Sequence, residues 1–400
     1  MISFERYTTL FRTPHVAAAI GASIIGRIPI GLASLALLLF VQERTGSFAL
    51  GGSTTASYVL GLAGISPLIG RVIDRLGPRP VLLASAALYP VALIALVVLV
   101  SIDAGTYWII GCAWLAGATL PPITAAIRTL YPRLVDNAGL LQTAYSIDSI
   151  VIELIFIIGP ALAALFVAVG HAAGGVLLAA LCGTVGATVF LRTSAVRTWV
   201  IRRPARHGLI GPLRSTKLLI VFAATTCYSV GFGLFEVGVT GFAARQGIPA
   251  AAGVILGLSS IGSASGALIY GSRDWPLPLP RQFLIAVVAM ALCFALLLPV
   301  TNVVLFALVS VIAGAPIATV LSVQSMLVSR FAPRAMLAES FTWTATFLLG
   351  GIATGYAAGG VMIDAWSPAA ALAAAVMMAL CAGSIVWFAL ARQADRIAVD

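Results

Sequence analysis

Twelve long apolar stretches run through this 400-residue chain, at about 14–41, 49–70, 80–101, 105–130, 140–169, 174–191, 216–243, 250–271, 282–300, 303–329, 338–363 and 368–391. Each is long enough to cross a lipid hydrocarbon layer as a helix, whose backbone hydrogen bonds close internally. The basic residues fall in alternate gaps. Of 23 Lys and Arg, 20 lie at the N-terminus, in the even-numbered gaps, at the C-terminus or on the span ends beside them. The odd-numbered gaps hold Arg44 and Arg245, and Arg27 lies inside a span. Short loops rich in Lys and Arg stay cytoplasmic. One pattern thus predicts an all-α, multi-pass protein of a bacterial inner membrane, with both termini cytoplasmic.

Composition closes off other classes. Hydrophobic residues make up 61% of the chain and charged residues 9%, against roughly 25% charged in soluble domains. A membrane β-barrel needs alternating strands of roughly 10 residues rather than unbroken apolar runs. The net charge of +10 is spread over seven segments of one face without aromatic interleaving. It suits anionic headgroups better than nucleic acid. Cys112, Cys182, Cys227, Cys293 and Cys381 all sit inside spans, and His15, His171 and His207 are scattered. Neither a disulfide framework nor a metal site is expected, and no cofactor is implied. The first span is too long for the apolar core of a signal peptide, which takes roughly 7–15 residues. We read it as a retained helix.

The longest polar interval carries Arg197, Arg202, Arg203, Arg206, His207 and Arg214, and it parts six spans from six. The expected organisation is a six-helix bundle over 1–195, a basic cytoplasmic linker over 196–217 and a second bundle over 218–400. The halves echo one another faintly. Gly70-Arg71-Val72-Ile73-Asp74-Arg75 closes span 2 and Gly271-Ser272-Arg273-Asp274 closes span 8; Pro132-Arg133 precedes span 5 and Pro333-Arg334 precedes span 11. Two repeats joined by a linker suit a transporter whose halves rock against each other. Two similar bundles without such motion would leave the same trace.

Gly70-Arg71-Val72-Ile73-Asp74-Arg75-Leu76-Gly77-Pro78-Arg79 resembles the major facilitator superfamily signature G-x-x-x-D-R-x-G-R-[RK], and stands between the second and third spans as it does there. Twelve spans in two sixes fit the same family, so the resemblance covers nearly the whole chain. It implies two pseudo-symmetric six-helix bundles, as in bacterial drug/proton antiporters of that family. It also implies that this loop, through Asp74 and Arg75, latches the halves. Gly70 and Gly77 permit a tight turn and close helix approach. Asp74 can meet basic side chains or the positive end of a neighbouring helix, and Arg75 and Arg79 can pair with acids or headgroups. Pro78 stands where the family has Arg or Lys. A turn with a topological role only is the alternative.

Few ionisable groups lie at membrane depth: Arg27 in span 1, Asp148 and Glu153 in span 5, and Glu236 in span 7. A charge at the bilayer centre costs about 2.5–3.5 kcal/mol on insertion scales, so each needs a partner or a cavity. Helical rise puts Arg27 and Glu153 at one depth, Asp148 nearer the cytoplasm and Glu236 towards the outer side. We favour Glu153 as the group that loads and releases a proton. Arg27 is then its alternating counter-ion or a partner for anionic substrate. A permanent Arg27–Glu153 or Arg27–Asp148 pair tying span 1 to span 5 fits equally well, and Asp148 can instead reach the cytoplasmic interface. Glu236 either lines the cavity or faces an outer cleft.

Ser146, Ser149, Glu153 and Pro160 share one stripe of span 5. Gly159-Pro160 resembles the core of the family's span-5 antiporter motif, with Ala161, Ala163 and Ala164 where further glycines are usual. That resemblance implies export; a packing kink is the other reading. Gly351, Gly355 and Gly359 recur at four-residue intervals, a pattern of close helix packing. No nucleotide-binding G-x-x-x-x-G-K-[ST] occurs, which disfavours ATP-driven transport. In the family fold the first and fourth helices of each half line the path, flanked by spans 2, 5, 8 and 11. That adds Trp114, Thr119, Gln324 and Trp343 to Arg27 and Glu236 as cavity candidates. So apolar a lining suits an amphipathic solute better than a sugar. The expected protein is not an enzyme. It is a monomeric exporter in the lipid bilayer, exchanging a small amphipathic or drug-like substrate for protons. Proton-coupled uptake of a small organic solute is the alternative.

Overall fold

Every apolar stretch forms a helix. The computed structural model describes residues 5–199, 211–248 and 251–399, with the side chains at 48, 49, 364 and 390–399 excepted. The expected linker residues Arg202, Arg203, Arg206 and His207 lie outside the described residues. Span 1 is Val16–Thr45, span 2 Phe48–Leu76, span 3 Pro78–Ser101, span 5 Ala138–Ala168 and span 6 Ala172–Arg192. In the second half, span 7 is Thr216–Arg245, span 8 Ala251–Gly271, span 9 Leu279–Ala295, span 11 Leu337–Ala365 and span 12 Pro368–Val399. Span 9, at 17 residues, is the short one. No strand occurs among the described residues.

Spans 4 and 10 depart from the continuous helices that the apolar runs predict. Each is two helices in line: Thr106–Thr119 and Ile123–Leu134 in span 4, Val303–Gly314 and Pro316–Phe331 in span 10. The cause is local. Pro121, Pro122 and Pro316 lack the N–H that would continue the ladder, and their rings clash with the preceding turn. The breaks occupy corresponding places in the two halves. A broken helix at membrane depth is tolerated only where its freed groups meet protein or a cavity.

Within the first half, span 1 packs against spans 2, 5 and 6, span 2 against span 4, and span 3 against spans 4 and 6. Within the second, span 7 packs against spans 11 and 12, span 8 against span 10, and span 9 against spans 10 and 12. The halves meet where span 2 lies on span 11 and where span 5 lies on spans 8 and 10. Small residues set the closest approaches. A Cβ on Gly159 would lie 2.4 Å from the carbonyl carbon of Gly31, so these glycines let spans 1 and 5 touch backbone to backbone. The helix of span 5 runs on through Pro160. Gly351, Gly355 and Gly359 face span 7 in the same close way.

A short helix, Glu5–Arg12, precedes span 1 yet binds the other half. Its Tyr7 hydroxyl donates to the Leu268 carbonyl of span 8 at 2.5 Å, and Arg6 pairs with Asp274. Burial pushes the Tyr7 phenol up to about 12, so it stays a donor at neutral pH. Because successive spans run in opposite directions, helix Glu5–Arg12 and the described even-numbered gaps share one side, called here the basic face.

Candidate functional site

The loop between spans 2 and 3 is drawn tight by Gly77, whose φ of 80° and ψ of 171° are open to glycine alone. It brings the end of span 2 against the start of span 11. Gly70 is the contact point, because a Cβ there would lie 2.3 Å from Thr342 Oγ1 and 2.8 Å from the Ala338 carbonyl. The Asp74 carboxylate accepts the backbone N–H groups of Ala338 at 3.0 Å and Glu339 at 2.8 Å. These are first-turn amides of span 11, unpaired within the helix and at its positive end. Beside them Arg71 holds Glu339, with Nη2 to Oε1 at 2.6 Å and Nε to Oε2 at 3.2 Å. Asp74 thus meets a helix end, one of the two partners expected for it. Arg75 and Arg79 are exposed. The basic residue that crosses to the other half is Arg71, and its partner Glu339 escaped the sequence reading.

Further bonds join the halves toward mid-depth. Gln142 Nε2 donates to the carbonyls of Tyr270 at 2.5 Å and Arg273 at 3.0 Å, and the Thr143 hydroxyl donates to the Gly271 carbonyl at 2.6 Å. The Ser322 hydroxyl reaches Ser149 Oγ at 3.0 Å. Thr346 Oγ1 donates to the Ala63 carbonyl at 2.9 Å. Deepest of all, Ser263 Oγ donates to Glu153 Oε1 at 2.8 Å. That same Ser263 oxygen accepts the Ala318 N–H at 2.9 Å, one of the amides freed by the break in span 10. The stripe of span 5 carrying Ser149 and Glu153 therefore faces the second half. These bonds lie between the basic face and mid-depth, so the halves are closed on the basic side.

Glu236 lies ~30 Å along span 7 from the basic end, at 1.5 Å per residue. Its carboxylate accepts the Tyr356 hydroxyl of span 11, and Tyr356 is 46% exposed. Each half thus carries one carboxyl at or beyond mid-depth, Glu153 bonded to span 8 and Glu236 to span 11.

Arg27 is buried with 1% of its side chain exposed, and Asp148 likewise. Of the two pairs open for Arg27, the structure has the one with Asp148: Nη2 meets Oδ1 at 2.6 Å. A helical side chain leans back toward the N-terminus of its own helix, which carries the Arg27 head below Glu153 to the shallower carboxylate. Asp148 is held inside rather than at the interface. Its second oxygen takes Arg128 Nε at 2.6 Å, the Tyr131 hydroxyl lies 3.3 Å from Oδ1, and Arg27 Nε donates to Thr124 Oγ1 at 3.1 Å. Arg128, read from sequence as one more basic residue at a span end, is part of this buried group.

The remaining cavity candidates divide. Gln324 is buried and accepts the Tyr228 hydroxyl. Trp343 is partly buried, its ring 5.9 Å from that of Phe347. Trp114 is exposed, and Thr119 returns its hydroxyl to the Leu115 carbonyl of its own helix at 2.8 Å. Among the described residues no cluster of His, Cys, Asp and Glu could hold a metal ion.

Known proteins share this fold. Residues 19–336 match the sequence family described as Major Facilitator Superfamily. An uncharacterized MFS-type transporter of Sinorhizobium fredii is 29% identical over 283 residues, covering 66% of this chain and 68% of that protein. A human organic anion transporter superposes with a TM-score of 0.74 at 14% identity, over 93% of this chain and 99% of that one. A bacterial homologue of the iron transporter ferroportin, in its outward-facing state, gives 0.74 at 12% identity, over 92% and 98%. The Escherichia coli fucose:proton symporter gives 0.68 at 11% identity, over 94% and 98%. At these identities the three structures speak for the fold. With the family match running over most of its length, twelve helical spans and the span 2–3 signature docked on span 11, this chain belongs to the major facilitator superfamily of membrane transporters.

Proposed function

We propose that the chain exports small amphipathic molecules in exchange for protons, by alternating access, with its basic face toward the cytoplasm of a bacterial inner membrane. The observation that carries this reading is the Ser263–Glu153 bond, which ties a mid-depth carboxyl of the first half to span 8 of the second. With Glu153 ionised, the Ser263 hydroxyl makes a charge-assisted bond across the halves. A proton arriving from the opposite face by way of Glu236 neutralises Glu153 and weakens the bond to Ser263. The closed side is then free to open, release the proton to the cytoplasm and take up substrate. Asp74 on the first turn of span 11 holds the same side shut from its rim. Gly159-Pro160, by its resemblance to the antiporter motif, favours export.

The test is solute movement in proteoliposomes under an imposed pH gradient. Glu153→Gln and Glu236→Gln are each expected to lose gradient-driven accumulation while keeping downhill exchange. If both variants accumulate solute like the wild type, neither carboxyl couples. Solute moving with the protons rather than against them would assign the uptake reading instead.

A further inference from the structure

The Arg27 cluster carries more positive charge than its protein partners balance. Two guanidiniums, that of Arg27 buried and that of Arg128 12% exposed, share the single carboxylate of Asp148, each by one short contact to a different oxygen. Neither pairing uses the two-pronged geometry that arginine and carboxylate adopt when they satisfy each other. Arg27 Nη1 is buried and has no hydrogen-bond partner. A buried cationic donor left unpaired costs free energy, so the arrangement is incomplete in this conformation.

The cluster lies beside the seam with the other half. The Tyr145 hydroxyl donates to the Arg128 carbonyl at 3.2 Å, and the Tyr145 ring lies 6.1 Å from Phe341 of span 11. One turn further along span 5, Ser149 is held by Ser322 of span 10. Opening the halves on the basic face would lift this wall. Thr124, which orients Arg27, stands just past the break in span 4, where the path-lining helix is interrupted.

We propose that Arg27, Arg128 and Asp148 form an anion subsite of the transport path, which takes the carboxylate or sulfonate of an amphipathic solute loaded from the basic face. The subsite rests on the alternating-access reading above and names a chemical class for its substrate. The free Nη1 of Arg27 supplies the first hydrogen bond. The anion brings the second negative charge that the two guanidiniums lack, while the apolar part of the solute takes the place of the tyrosine and phenylalanine wall.

The experiment measures thermal stabilisation of the purified protein in nanodiscs by three probes of one shape: 2-naphthoate, 2-naphthamide and 2-naphthylmethylammonium. The wild type should be stabilised by the naphthoate alone. Arg27→Gln leaves Asp148 paired with Arg128 and removes the excess charge, and should weaken naphthoate binding by about tenfold or more. Asp148→Asn leaves two guanidiniums without a counter-ion, and should be stabilised by naphthoate more than the wild type is. That comparison stands even if the variant is less stable at the outset. Equal stabilisation by the amide or the ammonium, no response to naphthoate, or a naphthoate affinity unchanged in Arg27→Gln would each overturn the subsite. Binding reads the site without transport. Naphthoate binding with no counterflow in proteoliposomes would therefore remove the export reading and leave the subsite standing.

Discussion

Gly77 and Asp74 show how single residues in the span 2–3 loop do different work. At φ 80° and ψ 171°, a side chain on residue 77 would cost about 1–3 kcal/mol of backbone strain. Gly77→Ala should lower the melting temperature of the purified protein. Gly21→Ala, where an added Cβ meets nothing within 4 Å, should leave it unchanged. Asp74→Asn keeps one acceptor but loses the charge at the helix end, an interaction of about 0.3–2 kcal/mol. It should slow counterflow strongly while the protein inserts in normal amount; wild-type rates would remove the latch from the account. The motif made Gly70, Asp74 and Gly77 legible from sequence, because it prescribes both spacing and place in the topology. Arg71 was legible as a letter of the motif, yet its role was not. Its partner Glu339 lies 268 residues away, just inside a span, and nothing in the chain announces that pairing.

Elements carry the next layer, and there the reading missed the breaks in spans 4 and 10. Hydropathy averages over Pro121-Pro122 and Pro316, although proline doublets and X-Pro steps are breaker signals in their own right. The break in span 10 matters because it frees the Ala318 amide, and Ser263 ties that amide to Glu153. Ser263→Ala removes a bond to a charged group, of about 1.5–3 kcal/mol, and should flatten the pH dependence of counterflow. Ser263→Thr restores the hydroxyl and should restore the profile. An unaltered profile in Ser263→Ala would detach span 10 from proton handling. Helical spacing did predict that Ser149 and Glu153 share one stripe. That the stripe faces spans 8 and 10 depends on how the halves meet, and twelve apolar helices can meet in many ways. Arg27 posed the same limit. Depth alone left Glu153 and Asp148 open as partners, and side-chain direction within the packed bundle chose Asp148.

At the scale of the molecule, spans 2 and 11 and spans 5, 8 and 10 form the seam between two halves, closed from the basic face to mid-depth. The spans were legible because lipid forces long apolar helices. The side on which the seam is closed was not, since one sequence serves both states of a rocking transporter. The most direct test places spin labels at Asp136 and Arg281 on the basic face, and at Asp103 and Leu298 on the opposite face, and follows both distances as the pH is changed. The Asp136–Arg281 distance should lengthen on protonation as the Asp103–Leu298 distance shortens, and Glu153→Gln should abolish the pH response of both. Distances that change together, or stay fixed during active counterflow, would contradict alternating access.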